Sequence, residues 1–181
     1  MNLLANLGEL LEPIDSSIEA PMNFRLAAVL VPIFYEEEKI LFTKRTENLS
    51  HHQGQISFPG GRYDESDGNL VETALRETQE EVGIDRKFIH ILGSLNPLFA
   101  TSLHYVYPLV AFVSEDVKLK LNPAEVEETF FAKIDQLMLP ENHLSGLFSN
   151  QEYMYYSVGK YKIWGLTHLI LTDLLKRLKR K

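Results

Sequence analysis

The chain has 181 residues, 45% of them hydrophobic and 24% charged, a formal net charge of −7 and no cysteine. This length and mix suit one soluble domain, residues 1–181, with a sizeable core. The missing cysteine excludes disulfides and thiolate metal sites and fits a reducing, cytoplasmic setting, while no apolar stretch approaches a membrane span and no basic-then-apolar leader predicts a signal peptide.

In chain order, Asn2 to Leu11 carries apolar residues at 3, 4, 7, 10 and 11, which predicts a short amphipathic helix ended by Pro13. An extended connection follows to residue 22. Arg25 to Phe34 is strongly apolar and reads as a central strand. The charged turn Glu36-Glu37-Glu38 leads into a second strand, Lys39 to Arg45, so the pair reads as a hairpin. Thr46 to Ser57 is polar and reads as a loop. Its adjacent His51 and His52 have no matching ligand set elsewhere and read as solvated loop residues, not a histidine metal site.

Phe58 to Ile84 is the most informative stretch, FPGGRYDESDGNLVETALRETQEEVGI. Gly60 and Gly61 let backbone approach a ligand closely, and a carbonyl of that turn is a candidate metal ligand. Asn69 followed by Glu72 has capping-box spacing, and Gly83 suits a left-handed helix end. At about 100° per residue, Glu77, Glu80 and Glu81 share an arc of about 100°. Val71, Ala74, Leu75, Thr78 and Val82 form an adjoining apolar face that can dock on a core. Acids at i, i+3 and i+4 ordinarily mark a solvated face. Here they follow a Gly-Gly turn and end in Arg76-Glu77-x-x-Glu80-Glu81-x-Gly83-Ile84, an order that points to a catalytic cation site. Clustered carboxylates stay ionised cheaply when a cation sits among them, and hard oxygen ligands favour Mg²⁺ or Mn²⁺. Between Gly60 and Asp85, eight acids against two arginines give −6, so most of the charge excess lies here. Such a surface repels free nucleic acid.

This stretch resembles the Nudix box of the Nudix hydrolases. It departs from the usual pattern three times: Asp67 is the first acid, eight residues precede Arg76 instead of seven, and Thr78 takes an aliphatic position. The first two departures resemble the coenzyme A diphosphatase subgroup. So does the preceding run from Leu41 to Gly61, through Leu41, Thr43, Arg45, Leu49, His52, Gly54, Gln55, Phe58, Pro59, Gly60 and Gly61. The subgroup usually carries Arg where this chain has Ser50.

The resemblance implies an α/β fold, a Nudix-like α/β/α sandwich around a mixed β-sheet. It also implies hydrolysis of coenzyme A or a thioester to 4′-phosphopantetheine and adenosine 3′,5′-bisphosphate. Another diphosphate such as ADP-ribose, NADH or a damaged nucleotide is the competing substrate class. A non-catalytic ligand sensor would be expected to have lost the box acids. The residues implied in catalysis are Arg76, Glu77, Glu81 and Glu125, and those in metal binding are Glu77, Glu80, Glu81 and Gly60, with Mg²⁺ or Mn²⁺. Those implied in substrate binding are Arg45, His52, Gly54, Gln55, Phe58 and Gly61. The partner is a small molecule, with neither nucleic acid nor membrane, and a homodimer is left open.

Past the box, Phe88 to Leu95 reads as a strand and Asn96 to His104 as a loop. Tyr105 to Val113 reads as a strand that Pro108 kinks or places at an edge. Glu125 lies in an acidic run, read either as an exposed strand start or as a fourth carboxylate near the cation. Glu127 to Ala132 reads as a strand, and Lys133 to Leu139 as a helical turn stopped by Pro140. Gln151 to Val158 and Lys160 to Ile163 read as a hairpin across Gly159. Its tyrosines suit strand packing better than adenine stacking. Residues 164–181 read as a C-terminal helix whose basic end complements the helix dipole.

Overall fold

The computed structural model describes residues 4–15, 19–21, 23–47, 54–149 and 151–179. The apolar run predicted as a central strand is β1, Arg25–Phe34, and the turn through Glu36 to Glu38 sends the chain back as β2, Lys39–Arg45. Two short strands follow, β3 at Ile56–Ser57 and β4 at Gly60–Arg62, paired to β2 and β1 respectively. Helix α1 spans Leu70–Val82. Then come β5 at Ile89–Ser94, β6 at Leu98–Ala100, β7 at His104–Val113 and β8 at Val126–Lys133. The chain closes with the one-turn helix α2, Ile134–Leu137, the strands β9 (His143–Phe148), β10 (Gln151–Val158) and β11 (Tyr161–Ile163), and helix α3, Gly165–Lys179.

The main sheet is mixed. Its backbone order is β3-β2-β1-β7-β5, with β1 and β7 parallel over their full length and β8 antiparallel on the other edge of β2. A second sheet, β11-β10-β9, is antiparallel. Alternation along the strands sends side chains to two layers. Ala28 and Leu30 of β1 with Tyr107, Leu109 and Ala111 of β7 meet Leu70 and Ala74 of α1. Val31 and Ile33, with Ile40 and Phe42 of β2, face the opposite layer, where Ile170, Leu171, Leu174 and Leu175 of α3 pack. The result is the expected sandwich, with α1 on one side and α3 on the other.

Three expectations are corrected, and one strand goes beyond them. Among the described residues, the N-terminal helix is a 3-10 turn, Leu7–Leu10, held down by Leu4, Leu7 and Leu11 in the core. Arg177 of α3 clasps it, donating to the Leu10 carbonyl at 2.7 Å and pairing with Glu12 at 3.0 Å. The stretch Asn96 to His104 is not all loop, since β6 pairs with β7. Pro108 sits inside an interior strand, between β1 and the β5/β6 side. It is tolerated because the β5 pairing ends at Leu109 and the β6 pairing begins at Val106, so its missing N–H falls in the gap. Its carbonyl is still used, accepting from Leu95 N–H at 2.9 Å. The strand β9 has no counterpart in the sequence reading, because its Ser and Gly leave it without a strong β pattern.

The hairpin tyrosines pack as strands do. Tyr161 stacks on Phe130 at 3.8 Å, and Tyr156 stacks on His143. No helix among the described residues is long and apolar enough to cross a membrane.

This packing makes two predictions about stability. His143 and His168 meet Nε2 to Nε2 at 2.9 Å between β9 and α3. Burial, then the neighbouring His143 and Lys176, holds His168 down to about 4, and burial with Lys179 and Lys176 lowers His143. An unfolded histidine titrates near 6.5, so between that value and about 4 the unfolded chain binds more protons than the folded one. Stability from this pair is therefore present above pH 6.5 and lost as pH falls towards 4. Thermal melts across that window should decline less steeply in His168→Gln than in the wild type. Thr78 is fully buried, and its hydroxyl has no hydrogen-bond partner among the described residues. Thr78→Val should raise the melting temperature by a few degrees, since an unsatisfied buried hydroxyl costs about 1–3 kcal/mol.

Candidate metal and active site

Helix α1 delivers most of the candidate residues. Asn69 caps it by accepting from Glu72 N–H at 3.0 Å, and Gly83 closes it in the left-handed region at φ 73°. Its buried face, which includes Leu70, Ala74, Leu75 and Val82, docks on the sheet and fixes the helix rotation. That rotation buries the Glu81 carboxylate, which is only 2% exposed. Glu77 is 15% exposed and Glu80 53%.

Carboxylate oxygens of Glu77, Glu81 and Glu125 lie within 4.8 Å of one another. Glu125 comes from the turn before β8, where its carbonyl accepts from Thr46 N–H at 3.0 Å. Glu125 thus stands with Glu77 and Glu81 in that cluster. Glu80 does not belong to that group among the described residues. It is exposed and accepts from Arg76 Nη1 at 3.1 Å, one turn of helix away.

Each acid of the cluster has a distinct support. Glu81 accepts from Gly60 N–H at 3.3 Å and pairs with Arg45 Nη1 at 3.3 Å. Arg45 shares the β2 parity of Leu41 and Thr43, which places it on the α1 side of the sheet. Glu77 accepts from Arg76 Nη1 at 2.8 Å. Arg76 is held in turn by Asp67, through Nε at 2.7 Å and Nη2 at 3.0 Å, and by the Arg62 carbonyl at 3.2 Å. Asp67 also accepts from Thr73 Oγ1 at 2.8 Å. Between Asp67 and Arg76, Gly68 reverses the chain at φ 75°, and Asp67 meets the guanidinium across that turn.

Charge states follow from these contacts. Arg76, then the Asp64 N–H and the Thr73 hydroxyl, holds Asp67 down to about 2 against the effect of burial. The same pairing raises Arg76. Burial raises Glu77, opposed by Arg76. Burial pushes Glu81 up to about 8, opposed by Arg45 and the Gly60 N–H and reinforced by Glu77 and Glu125. Three carboxylates that disfavour each other's charge, one of them desolvated, form a donor set that fits a hard divalent cation.

The turn before the helix is built for close approach. Gly60 lies against β1, where a Cβ would strike the Ala28 carbonyl and Val29. A Cβ on Gly61 would instead land on the Glu77 carboxylate. In this structure Gly60 contributes its N–H to Glu81. Gln55 flanks Arg45, its carbonyl accepting from Arg45 N–H at 3.0 Å, and Gly54 lies against the Glu47 side chain. The expectation that Phe58 contacts substrate is corrected: its ring is 3% exposed, stacked on Phe42 at 5.0 Å within the core. Phe58 thus anchors the turn from beneath. His52 lies outside the described residues. Asn122 was missed in the sequence, although an Asn three positions before a candidate ligand, followed by Pro123, is an Asx-turn signal.

The NUDIX domain family model matches residues 24–149. A relative named "Uncharacterized Nudix hydrolase NudL" from Yersinia enterocolitica is 35% identical over 176 residues, 93% of this chain and 88% of the relative. The chain belongs to the Nudix hydrolase family. Two solved structures share the fold. The MutT protein from Methanosarcina mazei Go1 superposes with a TM-score of 0.57 at 21% identity, over 91% of this chain and 97% of that one. A NUDIX hydrolase from Nitrosomonas europaea gives 0.59 at 17% identity, over 89% and 73%.

The two glycines should separate stability from ion binding. Gly61→Ala meets a side chain that can swing aside, so the protein should melt near the wild-type temperature but lose most of the stabilisation that added Mn²⁺ confers. Gly60→Ala meets backbone and should cost about 4 kcal/mol or more of stability. Melts with and without Mn²⁺ check both outcomes.

Proposed function

We propose that this Nudix hydrolase cleaves the diphosphate bond of coenzyme A or its thioesters, releasing 4′-phosphopantetheine and adenosine 3′,5′-bisphosphate, with Mg²⁺ or Mn²⁺ as cofactor. The observation that carries the reading is the motif at residues 41–61. It resembles that of the coenzyme A diphosphatases, and among its described residues Arg45 stands beside Glu81 and Gly61 abuts Glu77.

Glu77, Glu81 and Glu125 would hold the cation. When bound, that divalent ion would neutralise charge on the diphosphate and acidify the attacking water. The chain's own residues do the rest. Arg76, locked by Asp67, holds Glu77 in place by a charge-assisted hydrogen bond. Gly60 N–H and the burial of Glu81 fix the innermost acid. Glu77 and Glu125 are partly exposed, so they are the acids that can take the proton from water. Water attacks one phosphorus, the bridging P–O bond breaks, and the leaving phosphate carries the bridging oxygen. Glu80, outside the cluster, has a weaker part. Arg45 at the end of β2 is a cation on the site's side of the sheet, within reach of the part of the substrate beyond the diphosphate. Lys44, of the opposite parity, turns to the other face and is engaged by Glu127 at 2.8 Å.

One observation favours a second reading. Ser50 stands where the subgroup usually has Arg, which removes a guanidinium suited to phosphate. Such a chain would favour a less anionic diphosphate such as ADP-ribose or NADH.

A substrate panel separates the two. With Mg²⁺ or Mn²⁺ and products resolved by mass, kcat/KM for coenzyme A should exceed that for ADP-ribose and NADH. The reverse order overturns the coenzyme A assignment, and efficient cleavage of dephospho-coenzyme A alone would locate the loss at the 3′-phosphate. Glu77→Gln and Glu81→Gln should each lower kcat by about a hundredfold or more, equivalent to roughly 3 kcal/mol of transition-state stabilisation, with the fold intact. Glu80→Gln should be milder.

A further inference from the structure

We infer that Asn122 is a positioning residue of this site, tying Glu125 to the end of α1 and so setting where Glu125 stands relative to Glu81. The inference rests on the reading of Glu77, Glu81 and Glu125 as ligands. Glu77 and Glu81 share one helix, so their relation is set by helical geometry. Glu125 belongs to another segment, and like charge pushes it away from the other two. Something must hold it there without neutralising it.

Asn122 touches both sides of that gap. Its backbone N–H donates to the Glu81 carbonyl at 3.0 Å, at the open C-terminal end of α1. Its own carbonyl accepts from Glu125 N–H at 3.0 Å and Val126 N–H at 2.9 Å, closing the turn that presents Glu125. Its side-chain oxygen accepts from Ala124 N–H at 3.1 Å, and its side-chain amide donates to Glu125 Oε1 at 3.2 Å. One residue therefore joins the helix end, the turn and the carboxylate.

The residue type matters. An amide is a neutral donor, so it orients the carboxylate while leaving its charge for a cation. A lysine or arginine at this position would compete with the cation. An aspartate would keep the Ala124 bond but present an acceptor to an acceptor. The frame around Asn122 is tight. Lys120 N–H donates to the Val82 carbonyl at 2.9 Å, and a Cβ on Gly83 would strike Lys120. The 114–124 segment is thereby pressed onto the helix end, and Glu125 is referenced to α1 and not to a free loop. Outer-shell partners of this kind typically change metal affinity by about 10- to 100-fold when removed.

The test is a double-mutant cycle on the full chain, read as the Mn²⁺ dissociation constant from the paramagnetic resonance of free Mn²⁺. Asn122→Ser keeps a short acceptor for Ala124 N–H and withdraws the amide from Glu125. It should weaken Mn²⁺ binding about tenfold, with the metal-free melting temperature close to wild type. Glu125→Gln should weaken binding at least as much, and adding Asn122→Ser to it should weaken binding no further. If Asn122→Ser binds Mn²⁺ like the wild type, or weakens it equally with and without Glu125, the positioning role is overturned and Asn122 is a turn residue only. If Glu125→Gln itself binds like the wild type, the assignment of Glu125 as a ligand fails and the inference falls with it. Should the Ser variant not fold, Asn122→Asp carries the test: lowered affinity supports the role, and unchanged or raised affinity overturns it.

Discussion

A carboxylate that is almost wholly removed from water, Glu81, stands beside two others, and much of the site's construction answers that arrangement. Burying a charged group is costly, and like neighbours add to the cost. The fold offsets part of it with one backbone N–H from Gly60 and one guanidinium from Arg45. Neither neutralises the cluster, and the raised Glu81 shows that the balance remains unfavourable to charge. A cluster left short of positive charge in this way is poised to take up a divalent cation.

The same constraint explains the architecture nearby. Glu81 is buried because its helix is rotated to lay Leu70, Ala74 and Val82 on the sheet, and the rotation is held from both ends by the Asn69 cap and the Gly83 reversal. The helix can come close to the turn because Gly61 carries no Cβ to meet Glu77, while the missing Cβ of Gly60 lets the turn lie against β1. Phe58 secures that turn from below, in a column of rings with Phe42, Phe130 and Tyr161. The parallel pairing of β1 and β7 supplies the flat apolar face on which α1 rests. Core packing and site geometry are thus two sides of one helix: displacing the apolar face would move the acids.

The Arg76–Asp67 pair has a different task. It is partly exposed and multiply bonded, and it fixes the guanidinium so that one nitrogen can reach both Glu77 and Glu80. Asp67 is a carboxylate spent on orientation, held ionised far below Glu81. Two carboxylates of one motif, Asp67 and Glu81, therefore sit at opposite ends of the titration range because one faces a guanidinium and the other faces desolvation.

The amino-acid sequence by itself determined much of this. The apolar runs named β1 and β2, the 3.6-residue periodicity named α1 with its cap and its end, and the order of glycines, arginine and glutamates named the motif, because each signal is local. What lies between distant segments was decided only in three dimensions. Pro108 reads as a kink or an edge marker, yet it sits in an interior strand where two neighbouring strands happen to leave a gap. Glu80 and Glu81 are adjacent and chemically identical, yet the docking of α1 buries one and exposes the other. Phe58 reads as a substrate contact until the core claims its ring. Glu125 was an acid in an acidic run, and only the register of β8 against β2, with the turn closed by Asn122, brings it to Glu77 and Glu81. Local spacing fixes which residues share a helix face, whereas the meeting of separate segments depends on packing that no single stretch of sequence encodes.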